Sequence, residues 1–368
     1  MLWLGVIVSL CYVPGITGAT IATQWPVMAV LLPFWLLREV HFTVFHGLGV
    51  LFLAYAAWGA YVSTVPYDAV FGLWLTAIMG TSLWVGSTLT SLRGLYAGLA
   101  IGGAVSSVVA VFQFFGWHPV VGTSAMPAGL YVNSVQQGTV LALLIVALAS
   151  ERMWLWIPAL VPGLVIAQSR GAWLALAIGL LAYYVRRLWV FGVLAVVGAY
   201  CLLLPMSSSD QERMMIWEVA WNGLKWLGWG PGSFYTVDIV QGNLVLFPGH
   251  AHNDILQLVF EYGVGAVLPL AIFGFALLHT DAREWPVLVA FAAAACYSMP
   301  LWMPIASLLG LACVGRILRD YAVPCNYGCY CGFNLLSRRP EWRGAGRKTF
   351  SVAPVDPKRL DPVRAARA

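Results

Sequence analysis

Two imidazoles stand one residue apart in His250-Ala251-His252-Asn253-Asp254-Ile255-Leu256-Gln257, immediately ahead of an apolar run. Asn253 or Asp254 can cap the helix that this run forms, and Asp254 with Gln257 has the spacing of a capping box. A helix N-terminus carries about +0.5 charge and unpaired N–H groups, so it attracts phosphate and disfavours a protonated imidazole beside it. A neutral His252 is therefore the candidate proton acceptor, against the plainer reading of a His that caps backbone. His250 is a supporting residue, and His41, His46, His118 and His279 are read as structural. Arg170 and Arg213 are the candidate cations, because arginine in so apolar a chain is costly and marks function or topology. Against this, Arg170 could snorkel or cap a helix, and Arg213 could pair with Glu212 or Glu218. Trp217, Trp221, Trp226 and Trp229 could stack on sugars or form an interfacial belt.

The elements that must position these groups are membrane-spanning helices. Of the 368 residues 61% are hydrophobic and 10% charged, with a mean hydropathy of +0.81, whereas a soluble domain has about 45–50% apolar and about 25% charged residues. Eighteen tryptophans suit a protein with two bilayer–water interfaces. The net charge of +5 does not indicate nucleic acid, since eleven of the twenty Lys and Arg lie from Arg316 onward, after the last apolar segment. That is the pattern of a cytoplasmic anchor. Cys11, Cys201, Cys296 and Cys313 sit in apolar runs as small hydrophobes and imply no disulfide framework. The first apolar run has neither a basic leader nor a cleavage site, and reads as a retained span.

Interruptions by charge, Pro and Gly predict spans near 2–17, 21–37, 42–62, 67–88, 94–116, 134–149, 153–168, 171–185, 188–205, 253–278, 285–299 and 301–318. Several are short, which leaves eleven open beside twelve. With the N-terminus inside, twelve spans put Arg38, Arg93, Arg152, Arg186, Arg187, Arg283 and the basic tail on the cytoplasmic side. Arg170, Arg213 and Lys225 then fall outside. The expected class is all-α and polytopic: nine spans over 1–205, an outer loop over 206–252, three spans over 253–318, and a basic, disordered cytoplasmic tail over 319–368. In the long loop, Ser209-Asp210-Gln211-Glu212 predicts a capped amphipathic helix. Its apolar side, shared by Arg213, Trp217, Ala220 and Leu224, is expected to lie on the membrane. Gly228-Trp229-Gly230-Pro231-Gly232 should end it.

Three segments together resemble the O-antigen ligase-like membrane protein family, which includes O-antigen ligases, O-antigen polymerases and protein O-oligosaccharyltransferases. His252-Asn253 followed after nine residues by Gly263 is similar to the family's His-Asn-x9-Gly pattern. Ser169-Arg170-Gly171 is similar to its Ser-Arg-Gly turn, and Arg213 with Trp217 and the Gly-rich turn to its Arg-x3-Leu/Trp element. The likeness covers residues 165 to 265. Ala266 stands where the ligase form has Gly, Thr or Tyr.

The resemblance implies metal-independent, inverting transfer of a glycan from undecaprenyl diphosphate to an acceptor hydroxyl at the periplasmic face of the bacterial inner membrane. It implies no cofactor. His252 would be catalytic, Arg170 and Arg213 would bind diphosphate, and Asn253, Ser169, Trp217 and His250 would support them. A planar guanidinium suits bidentate phosphate contacts. Lipid A-core is the expected acceptor, as for a ligase; polymerase and protein-glycosylating chemistry remain alternatives. A flippase or transporter would instead place polar residues at mid-membrane in broken helices. In the tail, Cys325-x3-Cys329-x-Cys331 has poor zinc spacing and no nearby His.

Overall fold

The computed structural model describes residues 1–11, 19–36, 44–118, 127–184, 208–241, 244–246, 248–280 and 283–321. The span expected near 188–205, Arg38, His41, Arg186, Arg187, Cys201 and most of the basic tail with its three cysteines lie outside the described residues. Of the expected disorder in the tail, nothing is described.

Helices dominate. In chain order they are α1 (Leu2–Leu10), α2 (Ala19–Leu36), α3 (Val44–Tyr61), α4 (Pro66–Thr88), α5 (Arg93–Phe114), α6 (Ser134–Ser150), α7 (Ile157–Ala167) and α8 (Arg170–Tyr184). There follow α9 (Ser208–Asn222), α10 (Asp254–Tyr262), α11 (Val267–His279), α12 (Trp285–Tyr297) and α13 (Pro304–Arg319). Proline in the first turn opens α4, α7, α12 and α13, where its fixed φ fits and its missing N–H costs nothing.

Among the described residues, four helical stretches are long and apolar enough to cross a membrane: α3, α4, α5, and α10 with α11 as Asp254–His279. Shorter apolar helices cover 134–150, 154–167, 170–184 and 285–297. Large apolar side chains such as Leu51, Val70 and Val108 face outward, as a lipid surroundings requires and water does not.

The helices pack through small residues, which let backbones approach where no hydrophobic drive separates protein from lipid. Gly98 on α5 lies so close to α1 that a methyl there would strike the Leu2 carbonyl, and Gly86 on α4 abuts the α13 backbone at Ala312. The centre of the bundle is α6, buried at every position but Val135 and packed against α5, α7, α8, α12 and α13.

The segment between α8 and α10 departs from expectation in three ways. First, α9 ends at Asn222, so Leu224 and Lys225 lie beyond it. Gly223 turns the chain back, its carbonyl accepting the Trp229 indole N–H at 2.6 Å. Second, Ile216 and Ala220 of α9 are buried with Phe234, Ile239, Ala251 and Phe260. Protein, not membrane, covers that side. Third, Ile239–Gln241 and Leu244–Leu246 form a two-stranded antiparallel hairpin with Val240 opposite Val245. Its β-branched residues around Gly242-Asn243 carried a hairpin signal that helical expectations passed over.

Candidate functional site

Arg170 is the first residue of α8, at the end of a helix where a cation is disfavoured. Ser169, itself buried, accepts the Ala172 N–H at 3.4 Å and so caps this end. The preceding Gln168 is in the left-handed region at φ 48°, which sets the turn from α7 into α8. What offsets the cation is Asp210 in the first turn of α9. Its two carboxylate oxygens each take one guanidinium, Arg170 Nη1 at 3.6 Å and Arg213 Nη1 at 3.6 Å. One carboxylate therefore bridges two arginines from different helices. Arg170 is 71% exposed and Arg213 only 21%: one guanidinium is open to an anion from solvent and the other is largely enclosed. Neither Glu212 nor Glu218 pairs with Arg213 among the described residues, and Asp210 takes the role that the sequence offered to them.

His252 stands at φ 52°, a conformation that costs a non-glycine residue about 1–3 kcal/mol unless its neighbours enforce it. They do. On one side Ala251 has both backbone groups engaged, its N–H donating to Gln257 Oε1 at 3.1 Å and its carbonyl accepting the Trp217 indole N–H at 2.8 Å. On the other, Asn253 Oδ1 accepts the Leu256 N–H at 3.0 Å and caps α10, while Asn253 Nδ2 donates to the Cys296 carbonyl at 3.4 Å. Burial, and secondly the charge of Arg213, push the His252 imidazole down from the usual range to about 4. Nδ1 of His252 is enclosed and has no hydrogen-bond partner among the described residues. The ring is thus neutral at pH 7, rigidly presented, and within the field of one of the two arginines.

Asp254 does not cap α10. Its Oδ2 accepts the Leu301 N–H at 2.9 Å and ties the helix start to the turn before α13. Gln257, expected to complete a capping box with Asp254, faces the other way. Besides holding Ala251, its Nε2 donates to Glu261 Oε1 at 3.0 Å and lies 3.5 Å from His250 Nδ1. The Tyr235 hydroxyl is 3.5 Å from His250 Nε2, and the His250 ring also packs against Trp302. Burial first, then the His252 charge, lower the His250 pKa to about 3, the hydrogen bond from Gln257 opposing them.

Glu261 links this cluster to the Gly-rich turn, since its Oε2 accepts the Gly232 N–H at 3.1 Å. Backbone bonds clasp the same turn to the end of α10: Trp229 N–H to the Phe260 carbonyl at 3.1 Å, Gly230 N–H to that of Glu261 at 2.9 Å, and Val264 N–H to that of Trp226 at 2.8 Å. Gly228 and Gly232 both have positive φ, and a methyl on them would strike the Glu261 and Asp68 carbonyls respectively. Glycine is required on both counts.

The structure thus joins Arg170 and Arg213 through Asp210, and the Arg213 charge acts on His252, with Ser169, Asn253 and Trp217 shaping the backbone that carries these groups. His250 lies in a buried network beside it. Asp210, Gln257 and Glu261 are the residues the sequence reading missed as site residues. For Glu261 a signal existed: it is the one acid in the apolar stretch Leu258–Tyr262, and acids in such segments are retained for a reason. His46 and His279 have the structural partners expected of them, the Ser87 hydroxyl at 3.0 Å and the Phe275 carbonyl at 2.9 Å. Compared with known proteins, the chain matches no protein-family model and no curated protein.

Proposed function

We propose that the chain is an inner-membrane glycosyltransferase of about twelve spans. In this reading it moves a glycan from undecaprenyl diphosphate to an acceptor hydroxyl at the periplasmic face, with lipid A-core as acceptor. The observation that supports this most is the bridge of Arg170 and Arg213 by a single carboxylate, with His252 neutral in the field of Arg213. Two guanidiniums that share one carboxylate have the spacing to share a diphosphate, whose two negative phosphoryl groups offer more charge and more acceptor oxygens than Asp210.

In this reading the chemistry needs two groups of the chain. The acceptor oxygen attacks the anomeric carbon as the bond from that carbon to the diphosphate oxygen breaks on the opposite face, inverting the centre. The acceptor proton passes to a ring nitrogen of His252, and undecaprenyl diphosphate departs with the bonding electrons. Arg170 and Arg213 stabilise the charge that develops on the leaving diphosphate. A base near 4 is weak by itself, but a bound diphosphate offsets the Arg213 charge that helps to lower it, so donor binding brings His252 closer to a useful basicity.

The test is reconstitution. Purified protein is given an undecaprenyl diphosphate-linked glycan with lipid A-core, with a pilin-like protein, or with no second acceptor. Glycan on lipid A-core supports the proposal; glycan on the protein or on a second lipid-linked glycan makes the chain an oligosaccharyltransferase or polymerase. No transfer in any arm, with transport of the lipid-linked glycan across the bilayer instead, replaces the enzyme by a flippase.

A further inference from the structure

The Gly-rich turn that Glu261 holds also forms one wall of a concavity. It is an open cleft of about 420 Å³ between the turn at 225–230 and the end of α3 with the loop after it, within the range of small-ligand sites. Three indoles line it, Trp58, Trp226 and Trp229, together with Lys225, Ser63 and Thr64. Among the described residues no acidic one does.

Its walls are held in place. The Tyr55 hydroxyl on α3 donates to the Leu227 carbonyl at 2.9 Å. Trp229 is stacked on Phe260 and bonded to the Gly223 carbonyl, and the Lys225 ammonium lies over the Trp229 ring. That contact fixes the cation at the cleft without neutralising it. Trp226 is 80% and Trp58 45% exposed. An indole this open can rest at a bilayer–water interface, but three of them around one cleft beside a lysine also present faces that a ligand with apolar ring faces gains from meeting.

We infer that this cleft binds an anionic saccharide, a sugar bearing phosphate or carboxylate, with its ring faces on Trp58 and Trp226 and its anionic group at Lys225. Indole faces match the C–H faces of a pyranose, Ser63 and Thr64 match its hydroxyls, and the unopposed ammonium matches the negative group. The same turn that forms one wall is joined through Gly232 and Glu261 to the segment carrying His250 and His252. The cleft is therefore placed to hold a part of the acceptor or donor glycan remote from the transferred bond. This role in transfer rests on the proposed function; the binding itself does not.

Binding is measured on the full chain in phosphatidylcholine nanodiscs by saturation-transfer NMR and tryptophan fluorescence, with trehalose 6-phosphate, trehalose and inorganic phosphate as probes. Trehalose 6-phosphate should bind tighter than trehalose, and inorganic phosphate weakest. Trp226→Ala should weaken both sugars by about tenfold. Lys225→Gln should bring the phosphorylated sugar to the affinity of the neutral one and leave trehalose unchanged. Because both side chains are on the surface, a folded variant is expected, checked by a monodisperse elution profile; Trp58→Ala serves as the second aromatic variant. Unchanged sugar affinity in Trp226→Ala and Lys225→Gln overturns the assignment. So does displacement of the sugar by phosphatidylglycerol added to the disc, which would make the cleft a lipid headgroup site. His252→Ala should bind the sugars as the wild type does. Sugar binding without any transfer sinks the enzyme proposal alone, whereas transfer without sugar binding sinks the cleft alone.

Discussion

His252 is held in a left-handed backbone conformation by fixed neighbours and kept neutral by burial and by Arg213. We expect His252→Ala and His252→Gln to stay in the membrane and bind the lipid-linked donor while transfer falls by about 10²-fold or more, the range for losing a general base. His250→Ala should cost far less. The acid limb offers a finer check. A lowered pKa means the imidazole stays unprotonated until the pH falls to about 4, so kcat/KM, which reports the free enzyme, should lose activity only there. The kcat limb should lie higher, because a bound diphosphate favours the protonated ring. Equal limbs, or a limb unmoved in His252→Gln with near-normal turnover, would assign the base elsewhere. The same depression acts on stability: the unfolded imidazoles take up protons near pH 6.5 and the folded ones do not, so the contribution is full above that pH and is lost as the pH falls toward 4. For the arginines, Arg170→Lys and Arg213→Lys keep charge and lose the planar fork. Each should fold and lose much of its transfer rate, and EDTA should leave the wild-type rate unchanged. Full activity in both variants would reduce them to packing or topology residues; loss with EDTA and recovery with magnesium would overturn electrostatics based on arginine alone.

At the scale of elements, the site depends on how α9, α10 and the Gly-rich turn grip one another. Trp217 on α9 donates to the Ala251 carbonyl, and Phe in its place keeps the ring but strands that buried carbonyl, at a cost of about 1–3 kcal/mol. Trp217→Phe should therefore remain folded and lower kcat more than it raises donor KM, read by steady-state kinetics; an unchanged kcat would mean His252 needs no such support. Gly232→Ala should be more damaging, since its methyl meets the Asp68 carbonyl at a positive φ. Gly116→Ala is its control, also at positive φ but with open space around the site of the new methyl, and a thermal-melt comparison in detergent separates strain from clash. The helices themselves were legible from charge and proline breaks: α3, α4, α5 and α6 begin and end within two residues of the expected spans. Their mutual grip was not. That Gln257 turns to Ala251 and Glu261, rather than capping with Asp254, goes with distant groups that engage its neighbours, the Leu301 N–H on Asp254 and the Gly232 N–H on Glu261, which local spacing does not encode. The end of α9 was misjudged for a related reason, because the acceptor for the Trp229 indole is a backbone carbonyl at Gly223.

At the scale of the whole molecule, hydropathy marks a membrane protein, and the bundle agrees: four helical stretches of spanning length among the described residues, apolar exteriors and glycine-mediated packing. Arg170 and His252 are candidates in the sequence because each stands at a helix end flanked by a recognisable turn, and Arg213 because it is a cation on the apolar side of α9, whereas Asp210, which joins the two arginines, has the look of an ordinary residue of a helix start. Orientation is a separate matter, carried by the distribution of arginines. On the rule that cytoplasmic loops hold the positive charge, the proposed orientation has Arg93, Arg152 and Arg283 inside and Arg170, Arg213 and Lys225 outside. The proposed chemistry requires this arrangement, because a glycan already moved across the bilayer can meet Arg170 and His252 only on the outer face. In a cysteine-free background, Ser207→Cys and Gly242→Cys should react with a membrane-impermeant maleimide added to cells with a permeabilised outer membrane, and Arg186→Cys should react only after the inner membrane is opened. All three positions lie outside the described residues, so the outcome depends on sidedness and not on the geometry of the site. Labelling at 186 in intact inner membranes would invert the chain, put both arginines and His252 in the cytoplasm, and remove the proposed donor from their reach.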